Sequence, residues 1–319
     1  MKIAILADIH LKLRNNKDFE ANRFGSLIHY LVDKKYDAVV ISGDLFDFAR
    51  PTLEEQKVVT DGIRSLSSAS RVYIIAGNHE AVTKNESTYD FIDLSKYAIV
   101  TKLSTVNFDG VMCTLCDWLS LDELKKTKGT DLLLSHWRSN YGFITEEIDT
   151  QAIAKKYNKV ILGDIHHRHS PLDNVHYCGS PYSTKFVSPG DDKFGYIELD
   201  TETLEHTYVD LSLASKYKFK CTVQEVENIV KQHSGNLLRL SVVGTTNELS
   251  KLPKDYIDVI YNLIPIHKDE STITTTQTIK SGNSVQEHTL VEHIVKSLPS
   301  VTNKELATSV LNTVNKDIR

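Results

Sequence analysis

Residues 38–47 read Ala38-Val39-Val40-Ile41-Ser42-Gly43-Asp44-Leu45-Phe46-Asp47, and the fold turns on how they are read. The run Ala38–Ile41 is apolar and β-branched, which suits a strand buried on both faces. Gly43 permits a tight exit and leaves Asp44 at the strand's carboxyl end, where open α/β sheets build their sites. Gly-Asp by itself says little, because aspartate is a common turn former. Its weight comes from four more strand-like runs that also end in His, Asp or Asn: Lys2–Ala7, Val72–Ala76, Leu132–Ser135 and Lys159–Gly163.

Helical spacing separates these runs. Phe24, Leu27, Ile28, Leu31 and Val32 predict a helix over Phe19–Tyr36. Thr52-Leu53-Glu54-Glu55 reads as a capping box opening a helix to Leu66. Ser87–Lys96 and Thr145–Tyr157 read as two more. The βαβ rhythm implies a mainly parallel sheet with helices on both faces. Val106–Leu115, Val175–Cys178, Tyr196–Leu199 and His206–Leu211 read as added antiparallel strands.

At 319 residues the chain has room for a large domain and a smaller one. No apolar run approaches the roughly 18 residues of a membrane span. The apolar start at Met1 is too short for a signal peptide, so the expected compartment is the cytoplasm. Cys113-x-x-Cys116 has the spacing of a zinc half-site, but no second pair follows and its neighbours are apolar, which favours core packing. A net charge of −5 argues against a generally basic nucleic-acid binder, so any DNA contact is local or made through a partner.

Residues 1–212 hold the strand-end motifs, and composition shifts after them. Tyr217–Val223, a helical Val226–His233, Leu237–Val243 and a helix near Asp255–Leu263 predict a small α+β domain over 213–268. Residues 269–287 are polar and Thr/Ser-rich, the composition of a flexible linker. In 288–319, Leu290, Val291, Ile294 and Val295 form one apolar stripe, and Leu306, Val310 and Leu311 another behind a second capping box. Two such helices either pack back on the body or sit in a partner's groove.

The chemistry-bearing residues stand at the strand ends. Asp8 and His10 follow the first, Asp44 and Asp47 the second, Gly77-Asn78-His79-Glu80 the third, His136 the fourth, and Gly163-Asp164-Ile165-His166 the fifth. Any one of these is ordinary, but five strands delivering polar residues to one edge is not. Carboxylate, imidazole and amide oxygen suit Mn²⁺, Fe²⁺ or Mg²⁺. Lys12, Arg14, Arg50, Lys84, Arg138, Arg168 and Lys185 lie near the motifs, either as solvated surface charges or as guides for a phosphate backbone. Tyr141 and Phe143 read as loop packing or as a stacking surface for an unpaired base.

Together these five motifs resemble those of the calcineurin-like metallophosphoesterase superfamily. Gly43-Asp44-Leu45-Phe46-Asp47 and Tyr177-Cys178-Gly179-Ser180-Pro181-Tyr182 resemble the SbcD-type DNA repair nucleases within it. The small second domain is more loosely similar to the tailed-phage recombination nucleases. The resemblance implies a four-layer α/β/β/α sandwich carrying a small α+β capping domain and C-terminal helices after a linker. It implies a homodimer paired through the predicted helices at Thr52–Leu66 and Ser87–Lys96, and a C-terminal segment that binds an SMC-like ABC ATPase. It assigns one divalent metal, Mn²⁺ before Mg²⁺ or Fe²⁺, to Asp8, His10, Asp44 and His166, and a second to Asp44, Asn78, His136 and Asp164. It gives the attack on phosphorus to a hydroxide activated by both metals, and makes His79 and Asp47 catalytic, with His79 protonating the leaving oxygen.

Two positions depart from the family pattern. Asp164 stands where histidine is usual, an extra carboxylate expected to keep activity while altering metal preference; His167 and His169 are neighbouring substitutes. Glu80 stands where the nucleases more often carry aspartate. The implied function is a DNA exo/endonuclease subunit. A phosphomonoesterase or cyclic-nucleotide phosphodiesterase uses the same scaffold, but protein phosphatases carry arginine directly after the second motif's aspartate, and here Phe48 follows Asp47. A weakly active subunit that clamps DNA ends is a third reading, motivated by Asp164.

Overall fold

In the computed structural model, strand ends meet across two sheets rather than along one. The structure describes residues 1–14, 16–138, 149–190, 193–253, 256 and 258–266. The linker, the tail stripes, Tyr141, Phe143 and the start of the predicted Thr145–Tyr157 helix lie outside them.

Among the described residues, the first six-stranded sheet has the order β12-β11-β1-β2-β3-β4: β1 (Lys2–Leu6), β2 (Ala38–Ser42), β3 (Arg71–Ile75), β4 (Ile99–Val100), β11 (Gly195–Asp200) and β12 (His206–Asp210). The second has the order β5-β6-β7-β8-β10-β9: β5 (Leu103–Phe108), β6 (Val111–Cys116), β7 (Leu132–His136), β8 (Lys159–Gly163), β9 (His169–Leu172) and β10 (Val175–Tyr177). β1, β2 and β3 run parallel, as do β7 and β8, so the five motif-bearing strands all present carboxyl ends.

The sheets pack face to face. Ile3, Ile5, Val40 and Ile75 from one interleave with Cys113, Leu115, Leu134 and Ile161 from the other. Cys113 and Cys116 are buried free thiols, core rather than a zinc half-site. α1 (Lys17–Lys34) and α2 (Leu53–Ser67) cover the outer face of the first sheet through Phe24, Leu27, Leu31, Val59 and Ile63. α3 (Leu121–Leu124) and α4 (Thr150–Ala154) cover the outer face of the second through Leu124 and Ile153. The result is the expected α/β/β/α sandwich, with helices on one face of each sheet. No described helix is long and apolar enough to cross a membrane.

Three expected elements differ. Val106–Leu115 is not one strand: Asp109 (φ 54°) and Gly110 (φ 96°) turn it into the β5–β6 hairpin, the geometry that Asp-Gly favours. Ser87–Lys96 is not a helix. It holds one 3₁₀ turn at Thr88–Asp90, and the Asp93 carboxylate then draws in the Ser95 amide (2.9 Å) and hydroxyl (2.6 Å). One of the two helices expected to pair the homodimer is therefore absent. The described part of Asp255–Leu263 is strand: β15 (Val259–Pro265) joins β13 (Lys216–Thr222) and β14 (Leu237–Gly244) in a parallel three-stranded sheet. Its Val, Ile and Tyr side chains suit a pleated surface better than a helix. Thr52–Leu66 keeps its capping box, and Glu55 also accepts the Leu13 amide at 2.9 Å.

The small sheet joins the body through a buried charge cluster. Arg23 on α1 donates to Glu20 Oε2 (2.8 Å) and to the Ser183 carbonyl (2.7 Å), and lies 4.0 Å over the Tyr182 ring. Lys216, opening β13, reaches the other Glu20 oxygen at 2.6 Å. Replacing Arg23 with alanine leaves a buried carboxylate half paired. It should cost on the order of 3 kcal/mol in chemical denaturation, a loss that Arg23→Lys recovers only in part.

Candidate metal centre

Four of the chemistry-bearing side chains are placed by strand ends with an unusual backbone. Asp8 (φ 55°), His10 (φ 49°), Asp44 (φ 54°) and Asp164 (φ 86°) all occupy the left-handed region, which costs non-glycine residues roughly 1–2 kcal/mol each. Cross-strand amides hold them there. Asp8 N–H donates to the Gly43 carbonyl (3.1 Å), His10 N–H to the Asp44 carbonyl (2.9 Å) and His79 N–H to Asp44 Oδ1 (3.0 Å). Gly43 (φ 88°) is required twice over: a Cβ there would lie 2.2 Å from His136 Nδ1. At Gly77 a Cβ would lie 2.1 Å from Asp44 Oδ1.

Two groups of donors converge. His10 Nε2 and His166 Nε2 lie 3.1 Å apart, with Asp8 Oδ1 at 3.9 Å from the first and 3.8 Å from the second. Asp44 Oδ2 sits 3.4 Å from His10 Nε2 and 3.3 Å from His136 Nε2. Asn78 Oδ1 lies 3.2 Å from His136 Nε2. Asp8, Asp44 and His136 form one compact donor set, and Asp8, His10 and His166 another. For His136 and His166 the ring nitrogens facing away are taken. His136 Nδ1 donates to the Ser42 carbonyl (2.8 Å), and Thr184 Oγ1 lies 2.8 Å from His166 Nδ1. Asp47 Oδ1 is 3.2 Å from His10 Nδ1. Paired imidazole lone pairs beside buried carboxylates suit divalent cations, and such outer partners orient ligating histidines.

The remaining sequence candidates are placed as follows. Asp164 turns its carboxylate to Arg138 Nε at 3.1 Å and is in neither donor set. Asp47 Oδ2 holds Lys12 at 2.9 Å, while His79 Nδ1 meets the Asp47 carbonyl at 2.8 Å. Lys12 and Arg14 lie 4.6 and 4.2 Å over the exposed Phe48 ring, and Arg14 donates to the Arg50 carbonyl. Lys84 and Lys185 are exposed. Arg168 is spent within the fold: its side chain is 15% exposed, pairs with Asp210 and donates to the Phe194 and Val209 carbonyls. It drops out of the phosphate-guiding group for that reason. His169 stacks on Tyr177, and His167 joins no described donor group.

One neighbour of the centre escaped the sequence reading, and another was named there without its role. Thr184 carries no periodic or motif signal. Glu80 was visible, but as a family variation. It is fully buried and accepts three amides, from Asp44 (3.0 Å), Phe46 (2.8 Å) and Gly77 (2.8 Å), so one carboxylate ties the second motif to the third.

Burial sets the charge states. Burial, with Asp44 and Asp164 adding to it, pushes Asp8 up to about 6 against the pull of His136 and His10. Burial and the Asp44 charge push Glu80 up to about 7. Burial and the charge on His10 bring His166 down to about 4, leaving a neutral donor. For His136, burial alone would lower the value, but the Asp44 charge and hydrogen bond, then Asp8 and Asp164, push it up to about 10. Asp44 is correspondingly held below the usual carboxylate range by His136, despite its burial.

A family model described as calcineurin-like phosphoesterase matches residues 1–196. A DNA double-strand break repair protein Mre11 from Methanopyrus kandleri is 28% identical over 131 residues, covering 36% of this chain and 29% of its own. The Mre11 protein of Methanocaldococcus jannaschii is 27% identical over 169 residues, covering 51% and 42%. The chain thus spans less than half the length of these curated relatives. Among solved structures, an archaeal phosphodiesterase superposes with a TM-score of 0.38 at 17% identity, covering 66% of this chain and 100% of its own. A Thermus thermophilus protein gives 0.39 at 13%, covering 66% and 98%.

Two outcomes are expected. Glu80→Ala strands three buried amides and should cost about 3 kcal/mol in denaturant unfolding, with a loss of divalent-metal affinity in the same protein. The raised His136 value stabilises the metal-free fold fully below pH 6.5 and is lost as pH climbs through about 10. Titrating Mn²⁺ into metal-free protein at pH 8, in buffers of different ionisation enthalpy, should therefore release about one proton. His136→Gln should abolish that release.

Proposed function

The chain belongs to the calcineurin-like phosphoesterase family, and we propose that it is a metal-dependent phosphodiesterase acting on DNA, the nuclease subunit of a pair with an SMC-like ABC ATPase. The convergence of His10, His166 and His136 on Asp8 and Asp44 carries this reading. In it, Asp8, His10, Asp44 and His166 would hold one divalent cation, and Asp44, Asn78 and His136 would hold a second. Mn²⁺ suits this mixture of carboxylate, imidazole and amide oxygen. Such cations supply Lewis acidity, making water nucleophilic near neutral pH and neutralising charge on phosphoryl oxygens.

The chain's own residues supply the rest. His79 Nδ1 faces a carbonyl, so that nitrogen carries its proton. The protonated ring then has Nε2–H to give to the leaving oxygen. Asp47 acts at one remove: its carboxylate pairs with Lys12 and lies 3.2 Å from His10 Nδ1, on the side away from the donors that His10 Nε2 faces. Asp47 is a positioning residue rather than a proton carrier. Lys12 and Arg14, just after the first motif, offer with Phe48 cations and a ring face to a nucleic-acid strand.

DNA as substrate is supported by the Mre11 relatives and by this basic, aromatic rim. The small sheet as a capping domain over 213–268, the pairing of two copies, and the stripes from Leu290 to Leu311 as the ATPase seat belong to the same proposal. Those three parts rest on the resemblance alone.

Purified protein with Mn²⁺ should cleave labelled duplex DNA, and Asp44→Ala should lower the rate more than about 100-fold while keeping its fold. Cleavage of p-nitrophenyl phosphate with no cleavage of DNA, even after addition of the ATPase, would transfer the chain to the phosphomonoesterases.

A further inference from the structure

Asp164 sits beside the metal centre, yet its two halves serve different ends. Its amide donates to both oxygens of Asp8, at 3.1 and 3.2 Å, so its main chain braces a donor. Its carboxylate, on a left-handed residue, meets Arg138 Nε instead. The donor groups that converge on the centre close without it.

Arg138 is two residues beyond His136, at the end of β7. Its side chain is 50% exposed, against 14% for Asp164, so the pair stands at the mouth of the centre with the guanidinium outermost. Among the described residues, Arg138 has no second hydrogen-bond partner. One Nε–H held by a carboxylate fixes the plane of the group, and no described residue takes its terminal N–H groups. That fork matches two oxygens of a phosphate. The charge also offsets the extra carboxylate that Asp164 adds beside Asp8 and Asp44.

We infer that Asp164 anchors Arg138 rather than a metal, and that Arg138 binds the non-bridging oxygens of the phosphodiester at the centre. The inference rests on the phosphodiesterase reading above and adds a residue and a charge source to it. Arg138 makes and breaks no covalent bond. It donates hydrogen bonds to oxygens that gain negative charge as the attack proceeds, where a fixed cation acts most strongly. Asp164 is the positioning residue.

Metal-free wild type, Arg138→Ala, Arg138→Lys, Asp164→Asn and the double variant R138A/D164N would be compared. Mn²⁺ stoichiometry would be read by calorimetry, and kcat and KM with bis(p-nitrophenyl) phosphate. Asp164→Asn should keep the wild-type Mn²⁺ stoichiometry. Arg138→Ala should lose about 100-fold in kcat/KM, with lysine recovering only part and added methylguanidine restoring part of the alanine variant's rate. Asp164→Asn should fall toward the level of Arg138→Ala, and the double variant should be no worse than Arg138→Ala. Loss of one Mn²⁺ equivalent in Asp164→Asn would make Asp164 a metal donor and overturn the inference, as would undiminished hydrolysis by Arg138→Ala. Wild type that binds Mn²⁺ but hydrolyses no diester would defeat the phosphodiesterase reading instead.

Discussion

The carboxyl ends of β2 and β7 touch, and the metal centre exists because they do. Ser42 Oγ donates to the Ser135 carbonyl at 2.8 Å, and the Ser42 carbonyl in turn accepts His136 Nδ1–H at 2.8 Å. With Nδ1 committed to the neighbouring sheet, Nε2 is left for Asp44 and Asn78. The seam admits no Cβ at Gly43, since that atom would fall inside the imidazole. The backbone turns, the glycine and the histidine tautomer thus follow from how closely the two sheets approach.

That closeness carries an electrostatic cost. Asp8 and Asp44 are almost wholly buried, and several residues beside them hold strained left-handed backbones. Buried carboxylates persist where cations or hydrogen-bond donors meet them. Without metal, a proton on His136 does part of that work, and the Asp8 and Asp44 oxygens also draw in the Asp164 and His79 amides. Glu80 shows the complementary case: a buried carboxylate whose task is to collect amides from two motif loops. The centre is a frustrated arrangement of charge, held in shape by the fold and relieved by a cation.

The segment from Ser183 to Val187 links this centre to the small sheet. Thr184 reaches His166, Ser183 accepts from Arg23, and Val187 exchanges main-chain hydrogen bonds with Lys216 and Lys218. A single short stretch therefore orients a candidate metal donor and seats β13. Displacement of the small sheet would be felt at His166 through a few covalent bonds.

Much of this was legible in the chain itself. Continuous apolar runs located β1, β2, β3, β7 and β8, and the polar residues directly after them marked the centre, because a strand's end is a local property of sequence. Periodicity likewise located α1 and the capped α2. The βαβ rhythm suggested one sheet and the family resemblance two; tertiary packing decided which strands joined each, because which sheet a strand joins depends on partners distant in sequence. The same holds for β15, whose apolar run became a strand once β14 offered it an edge. At the centre, residue types and spacing singled out Asp8, His10, Asp44, Asn78, His136 and His166. The roles of Glu80, Thr184, Asp47 and the Asp164–Arg138 pair came from three-dimensional proximity alone. Sequence determined which side chains arrive at the seam; tertiary structure decided which atom of each faces a cation, a main-chain amide or an arginine, because that choice is made by neighbours from other strands.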